Sequence, residues 1–465
     1  MNQSLRSFID LVARARPGDI KAVTREVDPK FEIPAVVEKL ETRKESPMVI
    51  FKNVKGSKLP VLINLAASYE RLALALDTEV HHLADEYARR EENRLPVKEV
   101  SEAPVKEVVF KGKDVDLTRL PIVTHNERDA AAYITAGPLI VKDPDTGAFN
   151  CGLYRLQLQE KDQMGLFINP HNHAYLIGER YAERNELMEV AVVIGHHPAF
   201  LMSSLSRLEG FGGELEVAGG LLDEPLEVIK AETVNLLIPS QAEIVIEGVV
   251  DPKLKREEGP FGEWPRYYTG TGKRWYVKVN AIAMRADAIY QDIFAAHNEH
   301  NMIGAVPKMG SLCRRVKGAL PTVRAVNLPL SGGGRARCYI SLKKRSDGEP
   351  KQAAFEALVT EPNIKHLVLV DDDVDVFNEE EVLWALSTRF QADKDLIIMP
   401  GCIGSHLIPT AYDATGLGHG VMETKLIFDA TKPAPPTRFP VRDRVPQKIL
   451  DRIEPEEYLE DYHPL

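Results

Sequence analysis

Between residues about 107 and 310 the chain repeats short apolar runs separated by turn signals, a spacing that restricts this stretch to a β-rich fold, sandwich or barrel. The runs are Ala131-Ala-Tyr-Ile-Thr-Ala136, Cys151-Gly-Leu-Tyr-Arg-Leu-Gln-Leu158, Glu189-Val-Ala-Val-Val-Ile194, Ala242-Glu-Ile-Val-Ile-Glu-Gly248 and Trp275 to Met284, several of them alternating apolar with polar residues. The flanking segments differ. Before residue 105, helical spacing at Leu5 to Val12 and Ile33 to Leu40 mixes with strand-like Met48-Val-Ile-Phe51 and Pro60 to Leu65. Ala67 to Arg90 reads as about two helical elements, and the charged, proline-bearing Glu92 to Lys106 as a linker. From about 311 to 435, His366-Leu-Val-Leu-Val-Asp371 is an apolar strand, Glu379 to Phe390 a helix capped by Asn378, and Leu396-Ile-Ile-Met399 the next buried strand, a β-α-β pattern of the parallel-sheet kind. The fold class expected is therefore mixed α/β: an α/β segment over 1–105, a β domain over 106–310, an α/β domain over 311–435, and a tail over 436–465 with a helix at Pro446 to Leu459.

A chain of 465 residues is long enough for two or three domains, each with its own core. Its net charge of -11 argues against nucleic acid or an anionic membrane as the main partner, although a local arginine can still hold an anionic substrate. No apolar run reaches membrane-spanning length, and the N-terminus lacks the apolar core of a signal peptide. Four scattered cysteines, Cys151, Cys313, Cys338 and Cys402, form no C-x-x-C pair, which fits a reducing cytoplasm.

The most chemically pointed stretch is Glu258-Gly-Pro-Phe-Gly-Glu263. Two acids flank a tight turn, with Trp264, Tyr267 and Tyr268 behind it; Gly259 and Gly262 permit the turn and Pro260 blocks a helix. An apolar wall raises a carboxyl pKa, and two close acids drive theirs apart, which lets an acid and a base coexist at neutral pH. A solvated acidic loop is the plainer reading. Asn150-Cys-Gly-Leu-Tyr-Arg155 offers a neutral oxygen ligand and a planar cation, on opposite faces of a strand unless Gly152 bends it. Asn169-Pro-His-Asn-His-Ala174 can ligate a divalent metal through His171 or His173, and is equally a polar turn. Glu209-Gly-Phe-Gly-Gly-Glu-Leu-Glu216 sets Glu214 and Glu216 beside glycines, as a metal site or a glycine-rich hairpin would. The acids Asp371 to Asp375 precede a helix, where its dipole favours them structurally. Ser331-Gly-Gly-Gly334 is a flexible turn beside Arg335 and Arg337.

Taken together, Asn150-x4-Arg155, Glu214 before Ala218-Gly219, the strand Ala242 to Gly248 and Glu258-Gly-Pro-Phe-Gly-Glu263 resemble, in order and spacing, the UbiD-type decarboxylases. Val370 to Asp375, Leu383-Trp-Ala-Leu-Ser-Thr-Arg389 and Phe428-Asp-Ala-Thr431 extend the resemblance over nearly the whole chain. It implies a central split β-barrel that binds prenylated FMN, a C-terminal α/β oligomerisation domain, and a homodimer or homohexamer. It implies Mn²⁺ and K⁺ as further cofactors, and a UbiX-type flavin prenyltransferase as the cofactor's supplier. Carried over by position, Arg155, Glu258 and Glu263 are similar to the family's catalytic network. Asn150, His173 and Glu214 are similar to its metal ligands, His173 being favoured over His171 by its distance from Asn150. Cys151, Gly152, Leu153, Tyr154 and Asn172 join Arg155 and these three around the cofactor, and the backbone at Ser203-Ser204 is the implied potassium neighbourhood.

The activity this implies is reversible, non-oxidative decarboxylation of an aromatic or heteroaromatic acid through a covalent prenylated-FMN adduct, releasing CO₂, with Glu263 as proton donor. The opening Ser4-Leu-Arg-Ser-Phe8 and Arg389 to Asp395 resemble the heteroaromatic branch, whose acids include furan-2,5-dicarboxylate and pyrrole-2-carboxylate. His297, His300, Arg314 and Arg315 are candidates for a second carboxylate or ring heteroatom. A hydroxybenzoate-type acid is the near alternative. A flavin-dependent oxidoreductase is the further one, although no dinucleotide fingerprint is present. A noncatalytic assembly or cofactor-carrier protein is the third.

Overall fold

In the computed structural model, which describes residues 3–208, 210–413, 421–435 and 437–459, the strand Gly272–Met284 organises the centre of the chain. Its 13 residues pair antiparallel with Gln163–Leu166, Ile244–Val250, Val108–Lys111 and Arg256–Glu258. The sheet has ten strands, and its path continues through Met188–Ile194, Pro138–Lys142 and Phe149–Leu153 at one end and through Leu156–Glu160 and Tyr133–Ile134 at the other. The two end strands do not pair with each other, so the barrel is split, as expected. Alternation explains the interior: Val190, Val192 and Ile194 on one strand and Ile244 and Ile246 on the next are fully buried in one apolar cluster.

Five sequence expectations need correction. Cys151 to Leu158 is two strands rather than one, because the chain breaks at Tyr154-Arg155. Gly152 stays in register opposite Leu139, so the bend that redirects Arg155 is not at Gly152. Glu92 to Lys106 is stitched to the body rather than a free linker: Lys98–Glu99 pairs with Glu227–Lys230, and the Leu95 N–H donates to the Glu216 carbonyl. The glycine-rich segment after residue 209 is no hairpin but the entry to the helix Glu214–Leu222. Finally, Leu396–Ile403 lies antiparallel at a sheet margin, with Ile398 and Ile403 largely exposed, not as a buried parallel strand. Apolar runs read alike at the margin and the centre of a sheet; neighbours decide which they are.

The N-terminal helices Leu5–Ala15 and Glu32–Thr42 and strands Met48–Phe51 and Val61–Ile63 form as the periodicities predict. Their sheet takes a strand from far along the chain, Tyr290–Gln291, parallel to Val61 and Leu62. The helix Asn298–Ala319 runs through residue 310, where the composition placed a boundary. It packs on Leu83–Glu92 and Glu349–Thr360, and one core cluster holds residues from Ala66 to Ile427. In the C-terminal part, Arg337–Leu342, His366–Asp371 and Val421–Asp429 are parallel neighbours. The Asn378 side chain caps Glu379–Arg389. The acids at the strand end are structural: Arg389 bonds Asp371 and Asp373 at 2.9 and 3.0 Å. In place of a tail helix there are two single turns, Gln447–Leu450 and Pro455–Glu457. Among the described residues no helix is long and apolar enough to cross a membrane.

Candidate active site

Arg155 stands in the gap between two strands, and three charge-assisted bonds hold it there. Its Nε and Nη2 donate to the two oxygens of Glu258, each at 2.9 Å, and its Nη1 donates to Glu263 at 2.6 Å. The guanidinium lies against the rings of Phe167 and Phe261, at 4.4 and 4.9 Å from their centroids. Burial alone would lower its pKa; the bond and charge of Glu258 outweigh that and leave it raised. A bidentate fork in an apolar slot is the geometry that holds an arginine rigid.

The two acids differ in position. Glu258 ends the strand Arg256–Glu258 and is 1% exposed. Glu263 follows the short strand Phe261–Gly262, which pairs with Tyr268–Thr269. Gly259 has φ +87°, which the turn between the acids requires. The Pro260 carbonyl accepts from the Ala130 N–H, and the Gly262 N–H donates to Asp129 at 2.9 Å, so both ends of the turn are tethered. Glu263 lines a cavity of about 330 Å³, which Glu258 does not reach. Trp264, Thr135, Ile293 and Leu205 form part of its wall.

Leu153, Tyr154, Arg155 and Asn172 also line this cavity. Burial pushes the Tyr154 phenol up. Beside them lies a polar nest. Asn150 Nδ2 donates to Glu214 Oε1 at 2.8 Å, and the Cys151 N–H donates to Oε2 at 3.2 Å. Burial raises the Glu214 carboxyl to about 7, and it raises the Cys151 thiol well above the usual range. Asn150 Oδ1 is buried without a protein hydrogen-bond partner. An acceptor left over next to a carboxylate suits a cation. His173, first residue of the helix His173–Arg184, sets its ring 4.9 Å from Phe211, in the loop that leads to Glu214, whereas His171 is exposed. Burial lowers the His173 pKa, keeping the imidazole neutral as a metal ligand must be. The loop itself is pressed onto the strand: the Gly213 N–H bonds the Phe149 carbonyl, and a Cβ on Gly212 would lie 2.4 Å from that oxygen. Ser203 and Ser204 turn their hydroxyls back to Phe200 and Leu201 carbonyls in the short helix before the loop.

A second set of polar groups, His300, Lys308 and Arg335, lines the same cavity, and the sequence pointed to it only partly. Lys308, on the helix Asn298–Ala319, is buried with its Nζ on the Gly304 carbonyl. Burial, with Arg335 adding to it, pulls its pKa well below the lysine range. His300 Nδ1 accepts from the Ala296 N–H, which leaves Nε2 as the donor, 3.4 Å from Arg335 Nη2. Two donors face each other there and want an acceptor between them. Lys308 escaped notice in the sequence; its signal was a lysine inside the apolar helical run Met302 to Met309. The other candidates do not reach the cavity: His297 bonds Glu41 at 2.7 Å, and Arg314 bonds Glu91 at 2.7 Å, beside Arg315 on a separate surface groove.

Comparison with known proteins agrees along the whole chain. Residues 12–91, 97–298 and 300–430 match the N-terminal, Rift-related and C-terminal domains of 3-octaprenyl-4-hydroxybenzoate carboxy-lyase, UbiD. The UbiD-class enzyme HmfF from Pelotomaculum thermopropionicum, solved in complex with FMN, is 38% identical over 98% of this chain and 100% of its own, with a TM-score of 0.91. Anhydromevalonate phosphate decarboxylase of Methanothermobacter thermautotrophicus is 33% identical over 92% of this chain and 97% of that protein. Phenolic acid decarboxylase of Sedimentibacter hydroxybenzoicus is 31% identical over 94% and 93%.

Proposed function

The chain belongs to the UbiD family of carboxy-lyases, and on that premise we propose that it decarboxylates an aromatic or heteroaromatic acid bearing a second anionic group, with Glu263 as the proton donor. The observation that carries the assignment is the asymmetry of the acid pair. Both acids bind Arg155, but only Glu263 lines the cavity. Glu258 and Arg155 are the parts that aim it. Prenylated FMN, when bound, supplies the electron sink that lets a carboxylate leave from an sp² carbon. Structures of HmfF hold FMN and prenylated FMN, which supports the same cofactor here.

The protein's own share is positioning and proton delivery. Leu153, Tyr154 and Asn172 offer the cofactor a wall. Asn150, His173 and Glu214 would hold Mn²⁺ beside it, the unpaired Asn150 oxygen being the group that fits. Ser203-Ser204 backbone is the proposed K⁺ neighbourhood. Phe167, Phe261 and Trp264 keep water from the reacting carbon, and Glu263 delivers a proton to the carbon that held the carboxylate. Lys308, Arg335 and His300 converge as donors on the cavity, which favours a second carboxylate such as that of furan-2,5-dicarboxylate. The same donors suit a phosphate, and the relatives that act on anhydromevalonate phosphate make a phosphorylated acid the second reading. UbiX-type prenyltransferase is the supplier this cofactor needs, and a homo-oligomer is the assembly we expect.

The test is production beside a flavin prenyltransferase, a visible spectrum, and CO₂ release across mono- and dicarboxylated furans, pyrrole-2-carboxylate, hydroxybenzoates and a phosphorylated unsaturated acid. We expect a bound flavin band and release from a doubly anionic acid. A loaded enzyme that releases CO₂ from none of them would refute the reading.

A further inference from the structure

A second chamber, of about 690 Å³, adjoins the first; Arg155, Phe167, Asn169 and Leu407 line both. Its outer wall carries three cations, Lys255, Lys273 and Arg274, and no Asp or Glu lines it among the described residues. None of the three has an ion-pair partner among the described residues, while the cations close by do: Arg256 is paired with Glu160 and Lys278 with Asp162. Arg155 is already neutralised by its two glutamates. Arg274 is held in place, with its guanidinium 4.9 Å from the Phe167 ring centroid and its Nη1 on the Lys273 carbonyl. Its Nε is buried without a hydrogen-bond partner. Phe167 therefore bears two guanidiniums, that of Arg155, which both chambers share, and that of Arg274, which lines the outer one.

A net charge of -11 repels an anionic substrate at long range. We propose that the outer chamber is an anion-gathering vestibule, in which Lys255, Lys273 and Arg274 draw an organic carboxylate out of solution and pass it by Phe167 to Arg155 and Glu263. Arg274 is the docking point, because it alone of the three is half-buried and fixed. The arrangement favours the substrate over its products. The substrate carries the carboxylate that these cations attract, whereas CO₂ is neutral and the decarboxylated product has one negative charge fewer. These residues are positioning and capture groups, apart from the chemical step. The inference rests on the activity proposed above and needs no particular acid.

Each cation should speed capture about two- to threefold, as a unit charge does at roughly 7 Å in water, and all three together about tenfold. The test measures kcat/KM and kcat of the cofactor-loaded enzyme against ionic strength, on the best acid of the panel. The variants are Lys255→Gln, Lys273→Gln and Arg274→Gln, singly and combined. The expected result is a kcat/KM about tenfold lower in the triple variant at low salt, a flattened salt dependence, and kcat within about twofold of the parent. An unchanged kcat/KM, or a kcat that falls with it, would overturn the proposal. If the parent turns over no acid, the proposed activity fails, and benzoate binding followed by ligand-observed NMR decides the vestibule by itself. Benzoate weakened in the triple variant while benzamide is unchanged upholds it; benzoate bound equally by both proteins overturns it.

Discussion

Exchanging the two glutamates one at a time separates proton delivery from scaffolding. Glu263→Gln keeps a carbonyl oxygen for the 2.6 Å bond from Arg155 Nη1 and leaves the Glu258 fork whole. Its side chain retains 14% exposure, so the cost to stability should stay below about 1.5 kcal/mol, less than one charge-assisted bond. The loss should appear in the rate. A positioned general acid contributes roughly 10²- to 10⁴-fold, so kcat should fall by that factor, a barrier increase of about 3–5.5 kcal/mol. Glu258→Gln does the reverse. It leaves one acceptor where the guanidinium had two, turns an amide NH₂ toward a buried cation, and removes that cation's bidentate, more deeply buried counter-charge. Breaking such a buried pair costs about 3–5 kcal/mol, so this variant should unfold measurably earlier in urea while losing less rate per molecule that remains loaded. The assay is CO₂ release from a carboxyl-labelled acid, normalised to cofactor content by the visible spectrum. A fully loaded Glu263→Gln enzyme within tenfold of the parent, or a Glu258→Gln enzyme of parental stability, would refute the division of roles.

Three further outcomes follow from neighbouring parts of the structure. Lys308→Met should raise KM for furan-2,5-dicarboxylate about tenfold or more, the worth of one charge-assisted bond, and leave furan-2-carboxylate within about twofold; steady-state kinetics on both acids check this. Gly212→Ala puts a Cβ 2.4 Å from the Phe149 carbonyl at a φ of +105°, displacing the loop that presents Glu214, and should cut manganese affinity about 10-fold or more, read by metal content after dialysis. Glu299 is buried, its pKa pushed up to about 8 by that burial despite two backbone N–H bonds, from Asn64 and Ala66. A carboxyl with a folded pKa above its unfolded value supports the fold fully below the unfolded pKa, and that support is lost as pH rises toward 8. Thermal midpoints of Glu299→Gln should therefore gain on the parent between about pH 4.5 and 8; a constant difference across that window would count against the shift.

Much of this was present in the linear chain because it is local. A β-rich centre shows as period-two alternation, and a loop with Gly259, Pro260 and Gly262 has few conformations open to it, so the Glu258-to-Glu263 turn was legible before any fold was known. The family followed from the order of such motifs. What the chain could not show were facts about neighbours. Strand and helix periodicity say nothing of which apolar run lies at a margin, so Leu396 to Met399 reads as a buried strand although Leu396–Ile403 lies at the edge of its sheet. The bend at Arg155 comes from where two strands stop pairing, and no residue type announces it.

Charge partners were the least legible. His297, His300, Arg314 and Arg315 stand within one short stretch of sequence, yet only His300 faces the cavity, because a helix sends successive residues to different sides. Lys308 joins it from two turns further on. The sequence by itself singled out the acids, the cation and the proposed ligands, since those are matters of residue identity and spacing. The tertiary structure alone decided which acid meets the cavity. Glu258 and Glu263 are chemically identical, and only packing buries one behind Arg155 and leaves the other open to the cavity.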